Sequence, residues 1–310
     1  MKFVIALGGN ALLKRGQPPD PALQRANVAA AADCLAPVIE SHGVVLTHGN
    51  GPQVGLLALQ ALATSKANPF PLDVLGAETE GMIGYVLEQE LMNRLPRRGF
   101  ATLLTQVQVD PGDPAFARPE KPIGPVYSQD QAQSLAATHG WTVAADGPHW
   151  RRVVASPAPR SILALRSIRL LCDADVTVIC AGGGGIPVMP DAQGRWQGVE
   201  AVIDKDASSA LLAIALDADA LVMLTDVPAV MTAFGTPQQR ALRRATPRAL
   251  AQFEFAAGSM APKVAAAVAM AKAGKRAAIG SITELEAIVA GTAGTWVGPD
   301  APGGEDIAWW

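Results

Sequence analysis

Short apolar runs broken by glycine turns alternate along the chain with longer alanine- and leucine-rich segments of helical spacing. Phe3 to Leu7 is a β-branched and apolar run ending in Gly8-Gly9-Asn10, the signature of a buried strand with a turn at its carboxyl end. Pro21 to Ser41 has a helical pattern. Val44 to Thr47 is a second strand, closed by His48-Gly49-Asn50-Gly51, and Pro52 then opens a helix through GLLALQALA. Leu72 to Leu95 predicts a long helix, and Ala101 to Val109 a further strand. After a different middle region the alternation resumes. Val176 to Cys180 runs into four consecutive glycines, Gly182 to Gly185, and an alanine-rich helix follows Asp204-Lys205-Asp206. Strands are predicted at Ala220 to Leu224, near Ala277 and at Gly294 to Val297, with helices at Pro262 to Ala273 and Thr283 to Ala290. This order predicts an α/β fold, a largely parallel sheet between helical layers. The stretch from Pro114 to about Pro159 is mixed, polar and proline-rich at its start, and predicts a small subdomain leaving the sheet. The tail after Pro299, ending Trp309-Trp310, is expected to be loose or packed against a neighbour.

Composition narrows the classes. The chain has 310 residues, 49% of them hydrophobic, enough for a large core. Its formal charge of −3 argues against a general nucleic-acid binder. No apolar run approaches the ~20 residues of a membrane span, and the amino terminus lacks a signal-peptide pattern. Cys34, Cys172 and Cys180 lie in apolar contexts and predict reduced core thiols of a cytoplasmic protein. The four histidines show no metal-ligand spacing.

The candidate chemistry centres on Val176 to Leu216. Glycines after a strand let backbone N–H groups approach a ligand with no Cβ in the way. A helix beginning beside Asp206 aims its positive end at the same place. A lysine between two aspartates is a costly cluster unless it handles a phosphate or a metal, although a tight turn with a solvated charge triplet has the same sequence. Lys121, Lys205 and Lys263 each sit in a glycine- or proline-flanked turn, which suits phosphoryl transfer, where spread negative charge must be neutralised. Each is also compatible with an ordinary exposed lysine. Asp204 and Asp206 either fix the lysines or meet Mg²⁺ directly or through water, and Asp206 also suits a helix N-cap. The P-loop pattern is absent. Gly49, Gly51 and Gly55 form a GxGxxxG variant of the dinucleotide fingerprint, which keeps an NADP-dependent dehydrogenase as an alternative class.

The strings ALGGNA, THGNGPQVG, PLDVLGAETEGMIGY, LTQVQVDPGDPAF, KPIGP, VICAGGGGIPV, GVEAVIDKD, FAAGSMAPK and GTWV, in this order from Ile5 to Val297, resemble the carbamate kinases of the amino acid kinase family. The resemblance implies a three-layer αβα sandwich around about eight mainly parallel strands, with a small protruding lid at about 114–159. It implies an acceptor lobe over 1–197 and a nucleotide-binding lobe over 198–310 of one continuous sheet, normally in a homodimer. It implies reversible, Mg²⁺-dependent transfer between ATP and carbamate, giving ADP and carbamoyl phosphate, in the degradation of nitrogen compounds. By the same resemblance Lys205 and Lys263 hold the transferring group, Asp206 orients them and Lys121 reaches in from the lid. Gly8, Gly9, Asn10, Gly49, Asn50 and Gly51 surround the substrate phosphate. Gly183, Gly184, Asp204, Thr225, Asp226, Val227 and Met260 lie toward the nucleotide. Two alternatives stand beside this reading: a related amino acid kinase acting on another small acid would keep the glycine turns and lysines, and a catalytically silent homologue would bind nucleotide without turnover. Two stretches depart from the family pattern: TDVPAVMTAFG, beside the expected adenine site, and GPHWRRVVASPAPR in the lid.

Overall fold

In the computed structural model, which describes residues 1–9, 17, 20–64, 69–256, 258–299 and 306–310, the apolar runs become the strands of one large sheet. In chain order the first third forms β1 (Lys2–Leu7), α1 (Pro21–Ser41), β2 (Gly43–His48), α2 (Gly51–Thr64), α3 (Leu72–Arg94) and β3 (Gly99–Thr102). The middle forms β4 (Gln106–Val109), β5 (Lys121–Tyr127), α4 (Gln129–His139), β6 (Thr142–Asp146), β7 (His149–Val154), β8 (Pro159–Ile162), α5 (Leu165–Asp173) and β9 (Val176–Ile179). The remainder comprises β10 (Ile186–Pro190), β11 (Trp196–Gly198), α6 (Lys205–Ala215), β12 (Ala220–Thr225), β13 (Met231–Thr232), β14 (Arg240–Ala245), α7 (Pro247–Leu250), α8 (Met260–Lys272), β15 (Arg276–Ser281), α9 (Leu285–Val289), β16 (Thr295–Val297) and β17 (Ile307–Trp309).

The large sheet has the order β13-β14-β16-β15-β12-β1-β2-β9-β3, with β17 added on β14. The run from β15 to β3 is parallel throughout, and β16 lies antiparallel to β15. Strand β1 is buried on both faces, as a central parallel strand requires. Phe3, Ile5 and Leu7 pack with Leu35 and Ile39 of α1, Leu87 of α3 and Ile288 of α9. Val4 and Ala6 face the opposite layer, with Leu212 of α6, Met270 of α8 and Ile168 of α5. Each fully buried large side chain of this kind contributes about 2 kcal/mol. The expected three-layer αβα sandwich is the observed architecture.

Three expectations are corrected in detail. The sheet has ten strands rather than about eight, because the stretch between the strand at Ala220 to Leu224 and the helix at Pro262, for which no strand is predicted, supplies β13 and β14. Ala101 to Val109 is not one strand. The chain leaves β3 at Thr102 and enters β4 at Gln106, in a separate four-stranded sheet ordered β11-β10-β4-β8. Finally, Thr295–Val297 is not the last strand. Residues 307–309 return antiparallel to β14, Trp309 lies under the Arg240 guanidinium 3.9 Å from the ring centre, and Trp310 Nε1 donates to the Gly294 carbonyl.

Residues 121–154 carry a three-stranded antiparallel sheet, β5-β7-β6, with α4 packed on it. Strand β5 runs against α2, and the contact depends on two glycines. A Cβ on Gly55 would lie 2.3 Å from Gly124 Cα, and Gly124 has φ +71°. Only paired glycines permit this approach.

Candidate active site

Four adjacent parallel strands, β9, β2, β1 and β12, end at one rim, the place where open α/β sheets collect ligands. Beyond that rim lies a cleft of about 350 Å³, lined by Gly8, Gly9, Gly49, Asn50, Gly51, Lys121, Gly183, Asp204, Lys205, Asp206, Thr225, Asp226 and Lys263, among others. Helices α2, α6 and α8 all begin there, so three helix dipoles turn their positive ends toward the same space. Asn10 lies outside the described residues. Gly184, Val227 and Met260 do not line the cleft. Gly184 is buried, where a Cβ would meet the Ile203 carbonyl at 2.4 Å, and Met260 packs toward the core. Val227 is half-buried in the loop after β12.

The local sequence explains the placement of the charged groups. Asp204, extended at φ −70° and ψ 123°, caps α6, and its Oδ1 accepts the N–H of Asp206 at 2.9 Å and of Ala207 at 3.1 Å. The cap is therefore Asp204, and Asp206 is left to point inward from the first turn. Asp204 Oδ2 receives Lys121 Nζ at 2.7 Å, tying the small sheet to the start of α6. Asp206 is buried and takes Lys263 Nζ at 2.9 Å on Oδ2, with Lys205 Nζ 3.2 Å from Oδ1. Lys205 Nζ also donates to the Leu7 carbonyl at 3.1 Å, which joins α6 to the end of β1.

Burial alone would raise the Asp206 carboxyl, but the two lysines outweigh it and hold it below the usual carboxylate range. Burial lowers the Lys205 ammonium from its ordinary value, and Lys263 adds to this, while Asp206 opposes both. The floor thus concentrates two cations around one anion, a net positive centre in a water-poor site. Such a centre favours a phosphoryl group.

The sequence reading missed the layer beneath. His48, at the end of β2, is buried, and that burial lowers it to about 4 and keeps it neutral. Thr79 and Glu80 of α3 are buried too. Asn50 Nδ2 donates to Thr79 Oγ1 at 2.8 Å, and Gly183 sits so close that a Cβ would fall 2.1 Å from that Nδ2. Burial raises the Glu80 carboxyl well above the usual range, only partly opposed by the Thr105 N–H. One signal was available: Leu72, Leu75, Ile83 and Leu87 form a helical apolar stripe, and Thr79 and Glu80 interrupt it on the buried face. Among the described residues no group of three or more His, Cys, Asp or Glu is arranged to hold a metal ion, and the three cysteines are free thiols.

The class follows from this cleft and from the sequence together. The model of the amino acid kinase family matches residues 1–281, and the chain belongs to that family. Within it the chain stands with the carbamate kinases. It is 52% identical over 314 aligned positions to the carbamate kinase of Rhizobium meliloti (strain 1021), covering 100% of this chain and 96% of that protein. It is 53% identical over 297 positions to that of Haemophilus influenzae, covering 95% and 96%. The structure of carbamate kinase from Giardia lamblia bound to AMP-PNP superposes with a TM-score of 0.88 at 39% identity, covering 96% of this chain and 98% of that one. This membership displaces the dehydrogenase reading of the Gly49 and Gly51 turn.

Proposed function

We propose that this chain catalyses ATP + carbamate ⇌ ADP + carbamoyl phosphate. The observation that carries the reading is the buried Lys205–Asp206–Lys263 centre at the focus of three helix N-termini. A carbamate oxygen forms the new bond to the γ-phosphorus, the bond from that phosphorus to the β–γ bridging oxygen breaks, and the electron pair leaves on ADP. Charge spreads over the equatorial oxygens, and Lys205 and Lys263 lie where they neutralise it. Asp206 holds both ammoniums, so the site needs little reorganisation during the reaction. Backbone N–H groups of the turns at 8–9 and 49–51 cradle the substrate phosphate, and Thr225 and Asp226 face the nucleotide. Lys121 reaches the acceptor from the small sheet of 121–154 once it parts from Asp204. That small sheet acts as a lid, residues up to 197 carry the acceptor side, and residues from 198 carry the nucleotide side.

Mg²⁺ would fit the carboxylate and phosphate oxygens of this cleft, since it takes most of its shell from water and substrate. Asp204 and Asp226 are the cleft carboxylates that would hold it, Asp204 once Lys121 has parted from its Oδ2. When bound it neutralises nucleotide phosphate charge. A homodimer would form across the side of the sheet ended by β3, where Tyr85, Met92 and Leu104 are more than half exposed. The free thiols suit a reducing, cytoplasmic compartment. Among the described residues no helix is long and apolar enough to cross a membrane.

The test is ATP formation from ADP, Mg²⁺ and carbamoyl phosphate by the purified protein. Rapid turnover that disappears in Lys205→Ala supports the reading. Bound ADP without turnover overturns it in favour of another small acid as acceptor.

A further inference from the structure

Glu80 is a buried carboxyl on α3 that the reaction does not use. Its Oε2 accepts the Thr105 N–H at 2.8 Å, and its Oε1 is buried with no hydrogen-bond partner. Thr105 in turn uses its side chain on the glycine turn, where the Ala181 N–H donates to Thr105 Oγ1 at 2.9 Å. Ala181 is the residue that starts the turn, held in the left-handed region at φ 50°, an uncommon conformation for alanine that its surroundings must impose. Its neighbour Gly182 has no room for a side chain. A Cβ there would lie 2.3 Å from His48 Cε1 and 3.0 Å from Glu80 Cγ. The turn then delivers Gly183 to the cleft wall beside Asn50. Asn50 is itself fixed by Thr79, one residue before Glu80. One turn of α3 therefore sets both glycine segments at once.

We propose that Glu80 is a positioning residue for phosphoryl transfer, acting through Thr105 and Ala181 to hold the Gly182–Gly185 turn in its working conformation. The inference rests on the carbamate kinase reading for its assay only. Burial favours the neutral acid form of Glu80. Its polar surroundings are the neutral His48 ring on β2, the thiol of Cys180 after β9 and the Thr105 backbone, and among the described residues no cation pairs with it. A neutral carboxyl keeps an acceptor for Thr105 without placing an anion beneath the phosphate site, where it would repel substrate.

Two readouts test this, turnover and hydrogen exchange of the amides over residues 181–185. Glu80→Ala removes the acceptor, so exchange over 181–185 accelerates and kcat falls on the order of 10- to 100-fold, as expected for a small misplacement at a site that relies on geometry. ADP affinity shifts less than kcat. Glu80→Gln keeps a neutral acceptor of the same shape and restores both readouts to within about twofold of the unmodified protein. Thr105→Val keeps the N–H that serves Glu80 but deletes the oxygen that serves Ala181. It lowers kcat in the same way, and the Glu80→Ala/Thr105→Val pair is no slower than the worse single change. If Glu80→Ala does not fold, Thr105→Val carries the test. Unchanged exchange and turnover in Glu80→Ala or in Thr105→Val, or a Glu80→Gln as slow as Glu80→Ala, overturns the proposal. An unmodified protein that makes no ATP from carbamoyl phosphate overturns the functional reading instead, and exchange over 181–185 still decides the role of Glu80.

Discussion

Lys263 donates to Asp206 at 2.9 Å across 57 positions of sequence, and both side chains are buried. Removing one partner of such a pair leaves an unpaired buried charge, which costs about 3–5 kcal/mol. Asp206→Asn keeps the shape but leaves two neighbouring ammoniums without their anion. Turnover should fall by about 100-fold or more and Tm should fall with it, while ADP affinity changes much less. Steady-state kinetics, thermal unfolding and an ADP titration measure the three quantities. Weakened ADP binding at near-normal kcat would mean that Asp206 serves only the nucleotide.

Lys121 and Asp204 form a different kind of pair. Their side chains are 36% and 24% exposed, and a pair this accessible contributes at most about 1 kcal/mol to stability. Lys121→Ala should therefore leave Tm within about 3 °C and yet lower kcat at least about tenfold, as loss of a positioned charge does. Normal turnover in this variant would remove Lys121 from the reaction.

Gly55→Ala tests how the small sheet is seated. Its new Cβ would meet backbone atoms of Gly124 at 2.3 and 2.6 Å, so the sheet must shift to admit it. Such overpacking costs about 1–3 kcal/mol. Exchange protection over 121–127 should drop, and kcat should drop with it, since Lys121 moves with β5. Unaltered protection would show that α2 yields instead.

The pH dependence of stability carries an opposed pair. His48 has an ordinary value of 6.5 that burial lowers to about 4, so its contribution is complete above 6.5 and is lost as pH falls toward 4. That difference amounts to about 3 kcal/mol. Glu80 is raised well above its ordinary 4.5, so its contribution is complete below 4.5 and is lost as pH rises through its folded value. From 4.5 upward toward 6.5 the unfolded chain holds a proton at His48 and lacks one at Glu80 relative to the fold, so the two slopes oppose each other. Unfolding midpoints of the unmodified protein should vary less across this window than those of either single variant. Glu80→Gln should gain stability with rising pH, and His48→Gln should lose it. Identical slopes in the two variants would contradict the assignment.

The sequence made the alternation of strands and helices legible because the central strands are buried on both faces and so appear as unbroken apolar runs. It hid the break at Leu103–Thr105, where apolar residues cross from one sheet to another with no glycine or proline to mark it. It hid β14 as well, since RALRRA exposes three of its six positions, all arginines, and has the composition of a loop. The tail looked unattached because its partners, Arg240 and Gly294, are fixed only by tertiary contact. In the site, Lys205 and Lys263 stood out through their turns, and the family resemblance named them. The pairing of both with Asp206 is a product of topology. Glu80 lay inside a long helix whose charged residues suggest a solvated face, and only its register against Leu72 and Ile83 sets it apart.

Strand β1 sits between β2 and β12, and Lys2 N–H reaches the Asp219 carboxylate 217 positions away. The same strand ends at Leu7, whose carbonyl receives Lys205. Closing so long a loop is slow, because the entropy is lost before the contacts reward it. The expected order of folding events follows: β1 and β2 pair before the join with β12, which brings the end of β1 and the lysine centre together. During refolding, recovered turnover therefore acts as a clock for the closing of the sheet and lags behind the recovery of helix.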